Sequence, residues 1–383
     1  MVYGTRPEAV KMAPVIRALV DAPDLTPSVV VTGQHRSMLD QVNSLFDIAV
    51  DHDLDIIEPR QTLEGVTSRA LRGLGPLMRA ERPDAVLVQG DTTTTFTAAL
   101  AAFYEQVPVI HLEAGLRTGN ISSPFPEEMN RRLTSQLAAL HLAPTATSRA
   151  NLEREGLDPA HIVVTGNTVI DALLDVVDRD RPYEDPQLAT LDDDIRRVLL
   201  VTTHRRESWG QPMRGVGRAI ATVAQRHPDL VVVLPVHRNP VVREALLPHV
   251  SGLPNVLVVE PVAYGDFARL MARATLILTD SGGVQEEAPS LGKPVLVLRD
   301  NTERPEAVEA GTVRLVGTDP DLLIRSTEVL LTDAAAYAAM ARAVNPYGDG
   351  KAAGRCIQAI RHMFGSATAA EEFTPERSAA GAA

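Results

Sequence analysis

The stretch TLILTDSGGVQEEAPSLGKPVLVLR, residues 275–299, contains the building unit of the predicted fold. Two short runs of Val, Leu and Ile, residues 275–280 and 294–299, flank a segment that opens with Ser281, Gly282 and Gly283. The runs are almost continuously apolar rather than alternating, which is the pattern of parallel strands covered on both faces. With a helix predicted between them, the stretch is expected to form one strand–helix–strand unit.

Similar apolar runs recur along the chain and are separated by helical segments. The further strand candidates are residues 28–32, 84–89, 107–112, 161–166, 197–203, 230–236 and 255–260. This alternation predicts an α/β fold of two doubly wound, Rossmann-like domains that face a central cleft. In such sheets ligands bind beyond the carboxyl ends of the strands, so the residues that follow the strands are the candidate site.

The chain is expected to divide near its middle. We predict an N-terminal domain over residues 1–167, a Pro- and Asp-rich hinge over 168–196 and a C-terminal domain over 197–345. Residues 366–383 are small and polar without an apolar period, so we expect a disordered tail.

Composition and charge exclude several classes of protein. The chain has 383 residues, 45% hydrophobic and 22% charged, as in soluble proteins of more than one domain. Its net charge of −12 argues against nucleic acid or an anionic membrane as a partner. It contains no apolar stretch of about 20 residues, and its start lacks the apolar core of a signal peptide, so we expect a cytoplasmic protein. The single cysteine, Cys356, excludes an internal disulfide.

The segment GTRPEAVK, residues 4–11, is a candidate anion site. Gly4 ends a short predicted strand, and Arg6 and Lys11 flank the start of the following helix, where backbone N–H groups attract anions. The alternative is an ordinary strand–turn–helix junction with incidental charges. The segment does not match GxGxxG, so it gives no support for a dinucleotide cofactor.

Asp91 and Glu113 follow two predicted strands that are neighbours along the chain. If these strands are parallel and adjacent, both carboxylates emerge at one sheet edge and can separate each other's pKa values, as acid–base chemistry requires. The alternative for Asp91 is a helix N-cap that accepts from the backbone near Thr94.

The segment HLEAGLRTGNISSPFPEEMNRRL, residues 111–133, concentrates charge directly after an apolar run. Its two prolines precede a predicted helix, and Glu127 lies at the start of that helix, where the dipole favours a carboxylate. Surface ion pairs four residues apart, Glu127 with Arg131 and Glu128 with Arg132, are the competing interpretation.

His204 and Arg205 follow the first strand of the second block, at the position that mirrors GTRPE. A histidine there can contact a phosphate or move a proton, whereas a local cap or a packing role is the alternative. His237 repeats this placement more weakly after the next strand.

The segment DSGGVQEEAPSLGKPVLVLRDNTERPEA, residues 280–307, is the strongest single motif. Its glycines let backbone N–H groups approach a diphosphate at a helix start, and Glu287, one turn later, can accept from ribose hydroxyls. Arg304 follows the next strand. The segment is not a Walker A loop, and a glycine turn chosen only for close packing is the alternative. No Cys–His cluster or HExxH motif predicts a metal.

These motifs together resemble those of a known family. GTRPEAVKMAPVI, QGDTTTT, HLEAGLRTGN, PFPEEMNRRL, THRRESWG and DSGGVQEEAPSLGKPVLVLRDNTERPEAVEAGT occur in order between residue 4 and about residue 364. The set resembles the non-hydrolysing UDP-N-acetylglucosamine 2-epimerases of bacteria. The resemblance implies the GT-B fold of nucleotide-sugar glycosyltransferases, a helix over residues 346–365 that packs on the N-terminal domain, and a homodimer.

The resemblance also implies the reaction and the residues that carry it. The reaction is the interconversion of UDP-GlcNAc and UDP-ManNAc without metal or cofactor, by anti elimination of UDP to a 2-acetamidoglucal and its re-addition. The implied acid–base residues are Asp91, Glu113 and Glu127. The implied diphosphate ligands are His204, Arg6, Lys11, Ser281, Gly282 and Gly283. The remaining implied contacts are Glu287 to ribose, Phe267 to uracil, and Arg304 and Arg117 to the substrate.

Some bacterial members bind a second UDP-GlcNAc as an allosteric activator. The matching positions are Gln34, Arg60, Gln61, Arg205 and His237. Ser37 stands where the regulated members carry glutamine, which argues against strong dependence on an activator. The chain begins only three residues before GTRPE, so the first strand is expected to be shortened.

Other functions are compatible with the same residues. The nearest is 2-epimerisation of a related UDP-sugar, such as a 2,3-diacetamido uronic acid, and the next is a hydrolysing 2-epimerase that releases ManNAc and UDP. From other classes, a retaining GT-B glycosyltransferase shares the UDP site, and a catalytically inactive nucleotide-sugar sensor requires only binding. Deuterium incorporation at C2 from solvent separates the epimerases from the last two.

Overall fold

The structure, a computed structural model, describes residues 1–33, 36–58 and 61–375, with the backbone alone for residues 36–38. The described chain divides into two compact units. The first consists of Met1–Ala172 together with Tyr347–Thr374, and the second is built from Leu173–Pro346.

The first unit is a seven-stranded parallel sheet covered by helices. Its strands are β1 (Val2–Tyr3), β2 (Val30–Val31), β3 (His52–Asp53), β4 (Val86–Gln89), β5 (Val109–Leu112), β6 (Leu140–Ala143) and β7 (Ile162–Val164). Its helices are α1 (Arg6–Val20), α2 (Arg36–Leu45), α3 (Leu63–Glu81), α4 (Thr93–Tyr104), α5 (Glu127–Leu137), α6 (Ala146–Arg154) and the start of α7 (Thr168–Asp178). The strand order is β3-β2-β1-β4-β5-β6-β7.

The second unit is a six-stranded parallel sheet. Its strands are β8 (Arg197–Thr202), β9 (Leu230–Pro235), β10 (Val256–Val259), β11 (Leu276–Thr279), β12 (Val295–Val297) and β13 (Val313–Leu315). Its helices are α8 (Gln211–Arg226), α9 (Pro240–Val250), α10 (Tyr264–Arg273), α11 (Gly282–Glu287), α12 (Pro305–Glu309), α13 (Pro320–Thr332) and α14 (Ala334–Ala341). The strand order is β10-β9-β8-β11-β12-β13.

Both sheets are doubly wound, which confirms the predicted fold class of two Rossmann-like domains. The strand order reverses beside β1 in the first sheet and beside β8 in the second. The central strands are buried on both faces, as their continuous Val, Leu and Ile content requires. The reversal leaves a crevice at the carboxyl ends of β1 and β4 and of β8 and β11, which is where ligands bind in such sheets.

Most of the predicted hinge, from Leu173 onward, belongs to the second unit. Helix α7 continues across the division between Ala172 and Leu173. Beyond it, the Asp266 carboxylate accepts hydrogen bonds from the Glu184 and Asp185 amides at 2.9 Å each. The segment after α7 is therefore fixed on α10 rather than extended in solvent.

The C-terminal segment returns to the first unit. Helix α15 (Ala352–Met363) contacts α1, and the Asp171 carboxylate accepts from the Ala352 and Ala353 amides at its start. Part of the expected disordered tail also packs here. Phe373 is buried, and its amide donates to the Val164 carbonyl at 2.8 Å. The aromatic ring supplies the apolar area that allows this part of the tail to pack. Residues 376–383 lie outside the described chain.

Within the described ranges, no helix combines the length and the apolar character that a membrane crossing requires.

Candidate active site

Asp91 and Glu113 meet at the carboxyl edge of the first sheet. Strands β4 and β5 pair in parallel with Gln89 opposite Leu112, and the Gly90 amide donates to the Leu112 carbonyl at 2.9 Å. Asp91 and Glu113 are the residues that follow, so the adjacency expected from sequence is present. Glu113 has a φ of 62°, a left-handed conformation that is uncommon for a side-chain-bearing residue and often marks a functional site.

Glu113 is held by three side chains. The Lys11 ammonium forms an ion pair with Oε1, and the Gln89 amide donates to Oε2. The Asn167 amide donates to Oε1 at 3.3 Å. These contacts come from α1, β4 and the start of α7, so three separate elements fix the carboxylate.

Asp91 is paired with Arg131 of α5, whose Nε lies 3.1 Å from Oδ2. Burial raises the pKa of Asp91, the Arg131 charge opposes that rise, and the nearby Glu113 carboxylate adds to it. The N-cap alternative is wrong, because Thr92 caps α4 by accepting from the Thr95 amide at 3.1 Å. Asp91 thus has no capping role, and its pKa is set by burial and Glu113 acting against the Arg131 charge.

The two acidic residues at the start of α5 differ in environment. Glu127 is half-buried, and its carboxylate has no hydrogen bond or ion pair within the described chain. Glu128 is fully buried and accepts from the Thr118 amide at 3.0 Å and from Arg131 Nη1 at 3.1 Å. The expected pair between Glu127 and Arg131 does not form, because Arg131 turns toward Asp91, whereas Glu128 does pair with Arg132.

Arg117 is engaged within the first unit. Its Nε and Nη2 donate to the Glu155 carboxylate at 2.7 Å each, and Nη2 also donates to the Ser135 hydroxyl at 3.0 Å. Its side chain is buried. Arg117, expected from the resemblance to bind substrate, therefore ties the loop after β5 to α5 and α6.

Arg6 begins α1 and is half-buried. Beside it, sequence reasoning missed Glu8, whose buried carboxylate accepts from the Gly4 and Thr5 amides at 3.0 and 2.8 Å. The same carboxylate accepts from the Thr92 hydroxyl at 2.7 Å. Glu8 therefore joins the turn before α1 to the turn before α4, and burial raises its pKa.

In the second unit, Asp280 orients His204. Asp280 follows β11 and is fully buried, and its Oδ1 lies 3.0 Å from His204 Nδ1. Its Oδ2 accepts from the His204 and Arg205 amides at 2.7 and 2.8 Å. Although burial raises the pKa of Asp280, the hydrogen bond and charge of His204 hold it below its usual value. With Nδ1 facing the buried Asp280, Nε2 is the imidazole nitrogen placed to meet a ligand.

The positions matched to an allosteric site are spread over both units. His237 stacks on His204 with ring centroids 5.8 Å apart, and Arg205 Nη2 lies 3.5 Å from Glu303. Burial and the neighbouring His204 lower the pKa of His237. Gln61 belongs to the first unit and accepts from Arg69 at 3.4 Å. Gln34 and Arg60 lie outside the described residues, as does the side chain of Ser37.

The glycine motif and Arg304 pack against each other. Ser281 precedes α11, and a Cβ added to Gly282 would lie only 2.5 Å from Arg304 Nη1, so the guanidinium occupies the space a side chain would need. Arg304 Nε donates to the buried Glu286 carboxylate at 2.6 Å. A Cβ on Gly283 would lie 3.5 Å from Glu287, an ordinary contact. The close-packing alternative therefore applies to Gly282, where the packed group is itself a cation.

Glu287 and Phe267 are linked through α10. The Tyr264 hydroxyl donates to Glu287 Oε1 at 2.7 Å, and Phe267, half-buried, lies one turn further along that helix. The carboxylate expected to bind ribose and the ring expected to contact uracil are thus positioned by adjacent turns of α10.

Sequence reasoning missed the residues that support the site. They are Glu8, Glu128, Arg131, Asp280 and Glu286, each of which contacts a candidate site residue or the turn beside one. Asp280 could have been found by the argument that joined Asp91 to Glu113. It follows β11, and β11 pairs with β8, the strand that precedes His204. Glu8 also had a local signal, the capping-box spacing with Thr5, whereas the contacts of Arg131 with Asp91 and of Glu286 with Arg304 had none. Among the described residues, no cluster of His, Cys, Asp and Glu side chains has the arrangement of a metal site.

Comparison with known proteins agrees with the resemblance in the motifs. A model of the UDP-N-acetylglucosamine 2-epimerase family matches residues 17–361. The UDP-N-acetylglucosamine 2-epimerase of Escherichia coli K12 is 52% identical over 369 residues, which are 94% of this chain and 97% of that protein.

Two solved structures have the same fold. The UDP-GlcNAc 2-epimerase of Neisseria meningitidis bound to UDP-GlcNAc is 47% identical with a TM-score of 0.84, covering 94% of this chain and 98% of that one. The Methanocaldococcus jannaschii enzyme in complex with UDP-GlcNAc and UDP is 32% identical with a TM-score of 0.76, again covering 94% and 98%.

Proposed function

The chain belongs to the UDP-N-acetylglucosamine 2-epimerase family, and we propose that it interconverts UDP-GlcNAc and UDP-ManNAc by eliminating and re-adding UDP. The observation that carries this proposal is that Asp91 and Glu113 follow adjacent strands at the carboxyl edge of the first sheet. Two carboxylates with different environments, one with a raised pKa, are what proton removal and return at one carbon require.

The proposed reaction has two balanced steps. A carboxylate removes the C2 proton while the bond between C1 and the UDP oxygen breaks, so the C2–H electrons form a C1=C2 double bond and UDP leaves with the other pair. In the return step, a proton adds to C2 from the opposite face and the UDP oxygen bonds again to C1. The product differs from the substrate only in the configuration at C2.

In this proposal the first unit supplies the acid and the base. Asp91 is the proposed acid, because burial and the Glu113 charge raise its pKa while Arg131 opposes that rise. Glu113 and Glu127 are the other carboxylates, Glu113 held in place by Lys11 and Glu127 without a partner in the described chain. Their spacing is set by β4, β5 and the start of α5.

The second unit binds UDP and stabilises it as a leaving group. The C2 proton is only weakly acidic, so its loss depends on stabilising the charge that develops on the departing diphosphate. His204 Nε2, the Arg304 guanidinium and the N–H groups at Ser281–Gly283 are the donors for that charge, with Glu287 for the ribose and Phe267 for the uracil.

The test is proton NMR of the purified protein with UDP-GlcNAc in deuterated water. We expect UDP-ManNAc signals to grow with deuterium at C2 in both sugars. Free ManNAc with UDP would instead indicate the hydrolysing reaction. An unchanged spectrum from protein that binds UDP would contradict the proposal and favour a different sugar or a glycosyltransferase.

A further inference from the structure

His111 is close in the fold to both candidate carboxylates but has no role in the reaction as proposed so far. It belongs to β5, two residues before Glu113, and is fully buried. Its Nε2 lies 2.7 Å from the carbonyl oxygen of Gly90, the residue before Asp91. A carbonyl only accepts hydrogen bonds, so Nε2 carries the proton in this contact.

This hydrogen bond is the second of two that attach the turn before Asp91 to β5. Gly90 has a φ of 71°, and its amide donates to the Leu112 carbonyl at 2.9 Å. Its carbonyl accepts from His111. Strand β5 therefore holds both polar groups of the Gly90 backbone, and the same strand ends at Glu113. The backbone before Asp91 is therefore attached at two points to the strand that ends beside Glu113, and one of the two is His111.

A buried histidine at this position lowers stability relative to an aliphatic residue, so a function of its hydrogen bond would explain its presence. The neighbours in β5 are Val109, Ile110 and Leu112, and a further aliphatic residue would complete an apolar strand. Nδ1 of His111 is buried without a hydrogen-bond partner among the described residues. Leaving a buried polar atom unpaired is destabilising. Burial also lowers the pKa of His111 to about 4, which keeps the ring neutral with its proton directed at Gly90.

We propose that His111 is a positioning residue for the epimerisation: its Nε2–H holds the Gly90 carbonyl and so sets Asp91 against Glu113. The inference rests on the proposed function, because the spacing matters only if both carboxylates act on one carbon. Displacing a catalytic group by about 1 Å can cost on the order of 100-fold in rate. His111 acts through Asp91 and does not need to touch the substrate.

The structure supplies a matched control in His141. It lies opposite His111 in the register of β5 and β6, is equally buried and also has an unpaired Nδ1. His141 has no hydrogen bond to the Gly90 turn. Substitutions at His141 therefore reproduce the effects of a buried cavity or a lost imidazole without releasing Asp91.

The experiment compares asparagine and glutamine at both positions. The glutamine amide nitrogen extends about as far as imidazole Nε2 and can still reach Gly90, whereas the asparagine amide is shorter. Each variant is tested for kcat and KM with UDP-GlcNAc, deuterium incorporation at C2, UDP affinity by calorimetry, and Tm.

We expect His111→Asn to lower kcat and deuterium incorporation by about 10- to 100-fold with KM and UDP affinity nearly unchanged. His111→Gln should stay within about threefold of the wild type, and His141→Asn should lower Tm without a matching loss of kcat. Equal losses of kcat in His111→Asn and His141→Asn that follow Tm would overturn the positioning role.

The glutamine variants decide the inference even if His111→Asn does not fold. A folded His111→Gln protein whose kcat falls well below that of His141→Gln would also overturn it. A wild-type protein without C2 exchange would instead refute the proposed function, and this inference with it.

Discussion

Each unit places an acidic and a basic side chain together at the carboxyl edge of its sheet. The more exposed partner is the acidic one, Asp91, in the first unit and the basic one, His204, in the second. In the first unit, the Asp91 side chain is 25% exposed and that of Arg131 11%. In the second, the His204 side chain is 44% exposed and Asp280 is fully buried. The exposed partner is the one a ligand can reach, so the first unit presents a carboxylate and the second an imidazole.

The second pair in the second unit, Arg304 with Glu286, follows the same rule, but the second pair in the first unit does not, because Lys11 is 17% exposed and Glu113 8%. Arg304 is the more exposed partner and Glu286 the buried one. A buried ion needs hydrogen bonds to offset its lost hydration, and those bonds also fix its geometry. Which partner is buried therefore decides whether the more exposed group at a sheet edge is a carboxylate, as at Asp91, or a cation, as at Arg304.

The largest effect is expected from removing the exposed carboxylate. Asp91→Asn should lower kcat by about 10³- to 10⁴-fold, because the amide cannot carry a proton to or from C2, while UDP affinity stays near that of the wild type. Asp84→Asn is the matched control, since Asp84 precedes β4 at its opposite, amino end and is exposed. Steady-state kinetics and calorimetry measure both. Retained activity in Asp91→Asn would remove the distinction between the two units.

Buried imidazoles in the first unit should make it sensitive to acid. Burial lowers the pKa of His141 to about 3 from its ordinary 6.5, so below pH 6.5 the unfolded chain binds a proton that the folded chain does not. Stability should therefore fall as the pH falls, with His141 contributing about 2–3 kcal/mol of that loss between pH about 6.5 and about 4.

Urea unfolding of the wild type and His141→Gln at several pH values measures this contribution. The glutamine variant should lose less stability on acidification. His362→Gln, at an exposed position of α15, should behave as the wild type does. Identical acid profiles for the wild type and His141→Gln would show that His141 is not buried in its neutral form.

Asp280→Asn tests whether the second unit uses a buried carboxylate to orient a more exposed group. The amide can still accept from the backbone but cannot hold His204 as an anion does, so we expect kcat to fall by about 10- to 100-fold. UDP affinity should fall with it, in contrast to Asp91→Asn. Kinetics and UDP calorimetry on the two variants separate the cases, and an unchanged UDP affinity would argue against a diphosphate role for His204.

Arg117→Met should have the smallest effect and should act on stability rather than on substrate binding. The loss of its contacts with Glu155 and Ser135 should lower the free energy of unfolding by about 1–2 kcal/mol. KM for UDP-GlcNAc should stay within about twofold of the wild type. A large rise in KM with unchanged unfolding in urea would support the substrate-binding role that the resemblance implies.

One physical reason explains why sequence analysis missed three of the strands. β3 (His52–Asp53), β6 (Leu140–Ala143) and β13 (Val313–Leu315) have at most four residues, and each contains a polar or charged residue. Too short and too polar for a continuous apolar run, they are stabilised by pairing with neighbouring strands of the sheet. Local pattern carries little of that information.

The sequence by itself determined the two parallel sheets and the edge of each sheet where the site lies. Continuous apolar runs require strands buried on both faces, and parallel strands place the residues that follow them at a common edge. Asp91, Glu113, His204 and Ser281 could therefore be selected from their positions after strands alone.

Only the tertiary structure decided which partner each charged side chain meets. Arg131 reaches Asp91 across 40 residues of sequence, and Arg117 reaches Glu155 across 38. In the sequence both arginines belong to the same charged stretch and have the same chemistry. Their roles differ because the fold sets which partner each one meets and how much water remains around the pair, and neither quantity is a local property of the chain.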